Sequence, residues 1–150
     1  MRVSLKATYA VLAALDLALS DGPEPVRAKS IASRQSIPAR FLEQVLNAMK
    51  KAGFVQSLRG AQGGYTLSKA PSDISLAAIV EALDGPLQAR SPGSQRSARP
   101  RGMCRPDTLL TEVWDRVRQA ELEVLSAVTL KDLAARHRQL QTGHGLMYHI

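Results

Sequence analysis

Apolar residues recur with helical period through the first third of the chain. Between Ser4 and Leu19 they fall at Leu5, Tyr9, Leu12, Leu15 and Leu19, a stripe that predicts a core helix, and Ser4 is placed to accept from the orphan amides of its first turn. A shorter run from Arg27 to Arg34, with Ile31 and Ala32 as its apolar pair, lies between Pro25 and Gln35-Ser36 and suits a two-turn helix. A tight turn follows. Pro38 then stands where its missing amide is harmless at a helix start, and Phe41, Leu42, Val45, Leu46 and Met49 give the i, i+3, i+4, i+7, i+8 stripe of an amphipathic helix ending at Gly53. Its other face offers Ala39, Arg40, Glu43, Gln44, Asn47, Lys50 and Lys51.

From Val55 to Leu67 the pattern changes to that of two short strands around a glycine-rich tip. Val55, Leu58, Tyr65 and Leu67 are strand formers, Gly60, Gly63 and Gly64 allow positive φ and close backbone approach, and Arg59 would point out of the fold. Helix, short helix, turn, polar-faced helix and hairpin in this order predict a winged helix-turn-helix: mainly α with a small β-hairpin wing, followed by a long helix. The second helix of the pair is the natural occupant of a major groove, read from its N-terminal half. Arg40 and Gln44 are the candidate base readers, since arginine grips guanine O6 and N7 and glutamine adenine N6 and N7, while Ala39 permits close approach or contact with a thymine methyl. Glu43 has three open readings: accepting from cytosine N4, repelling phosphate, or ordering Arg40 and Asn47.

Residues 1–85 thus form the predicted DNA-binding domain. Residues 86–107, with Pro86, Pro92, Pro100 and Pro106 and five arginines, cannot bury a core and are expected to be a flexible basic linker. In residues 108–150, Leu109, Leu110, Val113, Trp114, Val117, Leu122, Val124, Leu125 and Val128 predict a helix whose apolar positions occupy more than one face. A head of this size offers little core to hide them, so pairing with a second copy is expected, with packing within one chain alone as the alternative. Antiparallel crossing would set two heads about 34 Å, one DNA turn, or a multiple of it apart, and would call for a palindromic operator on double-stranded DNA. Thr129 and Asp132 read as a capping box that opens a last short helix through Leu133 and Leu140.

Charge sharpens this layout. Ten of the 20 Lys and Arg but only four of the 13 Asp and Glu fall in residues 1–70, so nearly all of the net +7 lies on the reading head. Arg2, Lys6, Lys29, Arg34, Lys50 and Lys51 are the expected phosphate contacts, with Arg59, Gly60 and Gly63 in the wing and Pro38 at the start of the reading helix completing the DNA-binding set. No catalytic constellation of nucleophile, base and orienting group is evident, which speaks against an enzyme. A winged helix that binds protein rather than DNA stays open as the alternative.

The run at residues 1–10, Met-Arg-Val-Ser-Leu-Lys-Ala-Thr-Tyr-Ala, the pattern Phe41-Leu42-Glu43-Gln44, and Arg59-Gly60-Ala61-Gln62-Gly63-Gly64-Tyr65 resemble the Rrf family of bacterial transcriptional regulators. The likeness extends through Ile79 to Gly85, the long helix and Thr129-Leu130-Lys131-Asp132-Leu133. It implies a homodimeric DNA-binding repressor or activator that senses iron-sulfur status, nitric oxide or cysteine supply. Cluster-binding members carry three cysteines between the small domain and the long helix; this chain has one, Cys104, and one thiolate cannot hold a cluster. No cluster or other cofactor is therefore expected, and His137, His144 and His149 fit no metal motif. Cys104, between Arg101 and Arg105, is a candidate redox switch, because nearby positive charge favours the thiolate.

The chain ends His144-Gly145-Leu146-Met147-Tyr148-His149-Ile150, which is similar to the C-terminus of the cysteine-metabolism regulators of the family and implies cysteine synthase as a partner. Tyr148 and Ile150 would fill apolar pockets beside a captured terminal carboxylate. With one cysteine, no signal peptide and no membrane-length apolar run, the expected location is the cytoplasm.

Overall fold

The computed structural model describes residues 3–20, 22–87 and 106–147. In chain order it consists of α1 (Leu5–Leu19), α2 (Ala28–Gln35), α3 (Ala39–Lys51), β1 (Val55–Leu58), β2 (Gly64–Leu67), a single 3-10 turn at Pro71–Asp73, α4 (Leu76–Asp84), α5 (Pro106–Ala127) and α6 (Leu130–Met147). It is a mostly helical winged helix, as the periodicities predict. Arg2 as a phosphate contact, Cys104 as a redox switch, Tyr148 and Ile150 as a partner tail, and positions 88–105 of the expected linker lie outside the described residues.

α1 is the central helix, packed on by α2, α3, α4, α6 and β2. Its fully buried positions are Ala7, Ala10, Ala13 and Ala14, not the predicted leucine stripe; Leu5 is 58% exposed and Tyr9, Leu12 and Leu15 are half-buried. The reason is crowding. A helix surrounded on several sides needs small residues where neighbours approach closest, and the larger side chains move to the seams between them. Tyr9 fills one such seam, meeting the Phe41 ring edge-on at 5.3 Å between centroids.

The start of α1 is capped as predicted: Ser4 Oγ accepts from Ala7 N–H at 3.0 Å. The same hydroxyl donates to Asp84, and Ser4 N–H donates to Asp84 Oδ2 at 2.9 Å, so the cap also fastens α1 to the end of α4. α4 itself is capped by Ser75, whose Oγ accepts from Ala78 N–H at 3.2 Å. α3 closes in a Schellman motif. Phe54 N–H donates to Met49 C=O at 3.0 Å, Gly53 N–H to Lys50 C=O at 3.1 Å, and Gly53 takes the required positive φ of 79°.

Two apolar clusters hold the chain. The larger gathers Ile31, Leu42, Val45, Leu46, Met49, Ile74, Ile79 and Leu130; the smaller joins Ala7, Ala77, Val80 and Leu87, with Leu122 and Leu125 of α5 packed against it. Leu87, inside the span expected to be linker, is therefore anchored, and α5 begins at Pro106, within the same span. The stretch after α5 also returns to the head. Leu130 is fully buried, Leu130 N–H donates to Ile74 C=O at 3.0 Å and Leu76 N–H to Val128 C=O at 2.9 Å.

α6 departs from expectation in length. It runs for 18 residues, through Gly143 and Gly145, where a short helix and a loose glycine stretch were expected. A helical glycine costs only about 1 kcal/mol, which propagation from a well-anchored start offsets. That start is the predicted capping box: Asp132 N–H donates to Thr129 Oγ1 at 3.2 Å, while Thr129 N–H and Oγ1 donate to Asp132 Oδ2 at 2.9 and 2.7 Å.

Backbone and then side-chain bonds from Thr129 hold the Asp132 carboxyl below its ordinary value of 3.8. A depressed folded-state value stabilises the fold above the unfolded value and ceases to do so as pH falls through the folded one. Asp132→Asn is accordingly expected to lower the melting temperature at pH 7 and to leave it nearly unchanged once pH is below the depressed value. Melting curves of both proteins at neutral and strongly acidic pH check this, and an equal gap at both would refute it.

Candidate nucleic-acid interface

The second and third helices meet through three residues. Ser36 ends α2 in the left-handed region at φ 52°, ψ 41°, Ile37 turns inward and is buried, and Pro38 caps α3. Because Leu42, Val45, Leu46 and Met49 anchor one side of α3 in the core, the opposite side must face outward. Ala39, Arg40, Glu43, Gln44, Asn47, Lys50 and Lys51 are all exposed along it, as is Pro38. Glu43 makes no hydrogen bond or ion pair among the described residues, so none of its three readings is excluded.

Beside this face, β1 and β2 pair antiparallel, with Val55 opposite Leu67 and Leu58 opposite Gly64. The tip reverses through Gly60, at φ 115°, and closes with Gly63 N–H donating to Gly60 C=O at 3.0 Å. A Cβ on Gly63 would collide with the Leu58 carbonyl, and one on Gly64 would sit 2.5 Å from the Val26 carbonyl. The glycines thus divide their tasks: Gly60 supplies the backbone conformation, Gly63 and Gly64 the close approach. Arg59 stands exposed where β1 enters the tip.

Three links missed in the sequence fix the wing. Val26 and Tyr65 exchange backbone hydrogen bonds at 2.9 and 2.8 Å, adding a one-residue bridge to the hairpin. Arg27 Nη2 donates to Ala61 C=O at 2.7 Å, joining the start of α2 to the wing tip. Lys50 Nζ donates to Ser57 Oγ at 2.8 Å, joining the last turn of α3 to β1. The one available sequence signal was Val26, a β-branched residue held between Pro25 and a helix start; nothing local marks Arg27 as reaching 34 positions along the chain. Arg27→Ala should loosen the tip and weaken duplex binding roughly 2- to 10-fold, the range of one ordinary hydrogen bond. Faster amide exchange at residues 59–64 would accompany it; unchanged exchange would mean that the bond does not hold the wing.

The predicted contacts divide accordingly. Ala39, Arg40, Glu43, Gln44 and Lys50 share α3, which Pro38 caps, and Arg59, Gly60 and Gly63 share the wing tied to it. Lys29 is exposed on α2. Lys6 is half-buried in the first turn of α1, with no hydrogen bond or ion pair among the described residues linking it to α3 or the wing. Arg34, half of whose side chain is exposed, has its guanidinium engaged with the buried Asp16 carboxylate, a partner that its charge alone did not suggest.

Comparison with known proteins agrees with this geometry. The profile of the family described as Rrf2, iron-dependent transcriptional regulator, matches residues 3–136. The chain is 36% identical over 151 residues to a putative HTH-type transcriptional regulator of Synechocystis, covering 99% of both. It is 34% identical over 135 residues to the HTH-type transcriptional regulator CymR of Bacillus subtilis, covering 90% of this chain and 91% of that one. Among solved structures, CymR, the global cysteine regulator of B. subtilis, superposes with a TM-score of 0.75 at 33% identity, covering 91% and 98% of the two chains. IscR of T. potens gives 0.77 at 36% identity, covering 99% and 97%.

The family description raises the question of iron. A cysteine-ligated cluster needs several thiolates, and the chain holds one cysteine in its 150 residues. Among the described residues no three His, Cys, Asp or Glu side chains gather as a metal site. The donor set does not fit a cysteine-ligated cluster. No helix among the described residues is long and apolar enough to cross a membrane.

Proposed function

Because the chain belongs to the Rrf2 family of transcriptional regulators, we propose that it is a homodimeric repressor that reads a palindromic operator without an iron-sulfur cluster and controls sulfur or cysteine metabolism. The observation that carries the reading is the exposed polar face of α3, with Arg40 and Gln44 uncommitted among the described residues and a wing braced beside it. Dimerisation is supported by the outer side of α5, where Leu109, Leu110, Val113, Trp114, Val117 and Val124 are all exposed. So much apolar surface on one helix marks an interaction site. The link to cysteine supply rests on the likeness to CymR and on the similar chain end.

The experiment is selection of binding sites from randomised duplexes by the full-length protein at one stated salt concentration. A recovered palindrome is the expected result, and the promoters that contain it name the pathway. Recovery of salt-sensitive background alone would overturn sequence reading and favour a protein-interaction module. On a matched promoter, transcription in vitro should fall when the protein is added; a rise would make it an activator. Protein purified without oxygen should show no iron-thiolate absorption, and its appearance would refute the cluster-free reading. Cysteine synthase is proposed as a partner of the chain end, and deletion of residues 148–150 should abolish co-purification with it. Binding that survives the deletion would remove that partner from the scheme.

A further inference from the structure

Asp16 is the one buried charged or polar residue among the described residues, 4% exposed, in the last turns of α1. Its Oδ1 accepts from Arg34 Nε at 3.0 Å and Gln35 Nε2 at 2.8 Å, and its Oδ2 from Arg34 Nη2 at 2.6 Å. Arg34 and Gln35 are the last two residues of α2. The next three, Ser36 to Pro38, are the whole connection to α3, and the first of them holds a left-handed conformation that is unfavourable for a non-glycine residue. A carboxylate on the central helix therefore grips the chain immediately before the turn that aims the exposed helix.

Stability alone does not account for such a residue. Asp16 is buried while half of the Arg34 side chain is open to solvent, so the carboxylate bears the desolvation cost, and apolar side chains in place of such a pair are often neutral or stabilising. What the pair adds is direction. Two parallel bonds from one guanidinium fix both distance and rotation, and the Gln35 bond fixes a second point on the same turn; an apolar contact would let α2 slide or roll on α1. Ile31, the one fully buried residue of α2, provides the adhesion but not the angle.

We propose that Asp16 is a positioning residue for DNA reading: through Arg34 and Gln35 it sets the end of α2, and with it the angle at which α3 enters the groove. This rests on the reading of α3 as the DNA-contacting helix. A second effect follows from the same bonds. Holding Arg34 against a buried carboxylate withholds one positive charge from the phosphate backbone, so the residue serves discrimination at the expense of unspecific attraction.

Asp16→Asn keeps the shape and removes the charge, leaving an amide NH2 that faces donors. Affinity for the duplex selected by the natural protein should then fall about 10-fold or more, while affinity for a random duplex of equal length stays within about twofold, since Arg34 is released toward phosphate. Amide exchange at residues 35–42 should accelerate by about 10-fold beyond any change in the core of α4, which reports overall stability. Arg34→Lys, with its charge but without the fork, should fall between, and Asp16→Asn with Arg34→Gln should discriminate no worse than Asp16→Asn alone. Equal loss on both duplexes in proportion to the unfolded fraction would assign Asp16 a merely structural role. So would exchange at residues 35–42 that follows α4. Should Asp16→Asn fail to fold, Arg34→Lys carries the same two measurements. A natural protein that does not discriminate between duplexes would be a failure of the operator reading instead, and the exchange experiment, which needs no DNA, still decides the role of Asp16.

Discussion

Arg40→Ala is expected to weaken operator binding by about 1–3 kcal/mol per half-site, roughly 5- to 150-fold, and to relax the preference at one base pair in each half. The size of the effect follows from its placement. Arg40 lies in the first turn of α3, on the exposed face opposite Leu42 and Leu46, and no acidic side chain among the described residues competes for its guanidinium. Residues so placed reach base edges, and a bidentate arginine on guanine is the commonest specific contact in a major groove. Lys51→Ala is the informative control, because an exposed lysine in the last turn should weaken all duplexes alike and lower the salt slope by about one per half-site. Fluorescence anisotropy with the selected duplex and its single-base variants separates the two. Uniform weakening by Arg40→Ala would make this residue a phosphate clamp and leave Gln44 as the reader.

Under the proposed pairing through α5, Trp114→Asp should convert a dimer to monomers and remove tight binding to the proposed palindrome. In one chain Trp114 is 52% exposed, between Leu110 and Val117 on the outward side of α5, so the substitution costs the monomer fold little. At a two-fold interface the same residue appears twice, and a buried aromatic anchor contributes about 2 kcal/mol or more to association. An aspartate in its place adds an unpaired charge to the buried patch, a further penalty. Sedimentation at micromolar concentration, with melting temperature as the check on folding, reads the outcome. A variant that stays dimeric would place the interface elsewhere, while a natural protein that sediments as a monomer would refute dimerisation outright.

Much of this layout is legible in the sequence because it depends on neighbours in the chain. α3 is found by the period of Leu42, Val45, Leu46 and Met49, its end by Gly53, the wing by two short strands around Gly60 and Gly63, and the start of α6 by Thr129 and Asp132. Each is a local signal, since capping, turn conformation and amphipathic period act over a few residues. α1 shows where the local signal stops. Its helical nature is clear, but which face is buried depends on how many elements crowd it, and the crowded face is the alanine one.

Charge is where the two levels differ most. From composition, Arg34 is one more cation on a basic head, and Asp16 is a polar interruption in an apolar helix. Packed together, they become a tether at the turn before α3. Arg27 and Lys50, alike in sequence to any surface cation, become braces of the wing.

The sequence by itself determined α1, α2, α3, the hairpin, α5 and the start of α6, with the polar face of α3 and the count of thiolates, since period, caps, turn residues and donor count are properties of the chain; α4 and the full length of α6 were not read from it. Only the tertiary structure decided that Arg34 and Arg27 brace the fold, because that depends on partners 18 or 34 positions away, brought within hydrogen-bonding distance by the burial of residues between them.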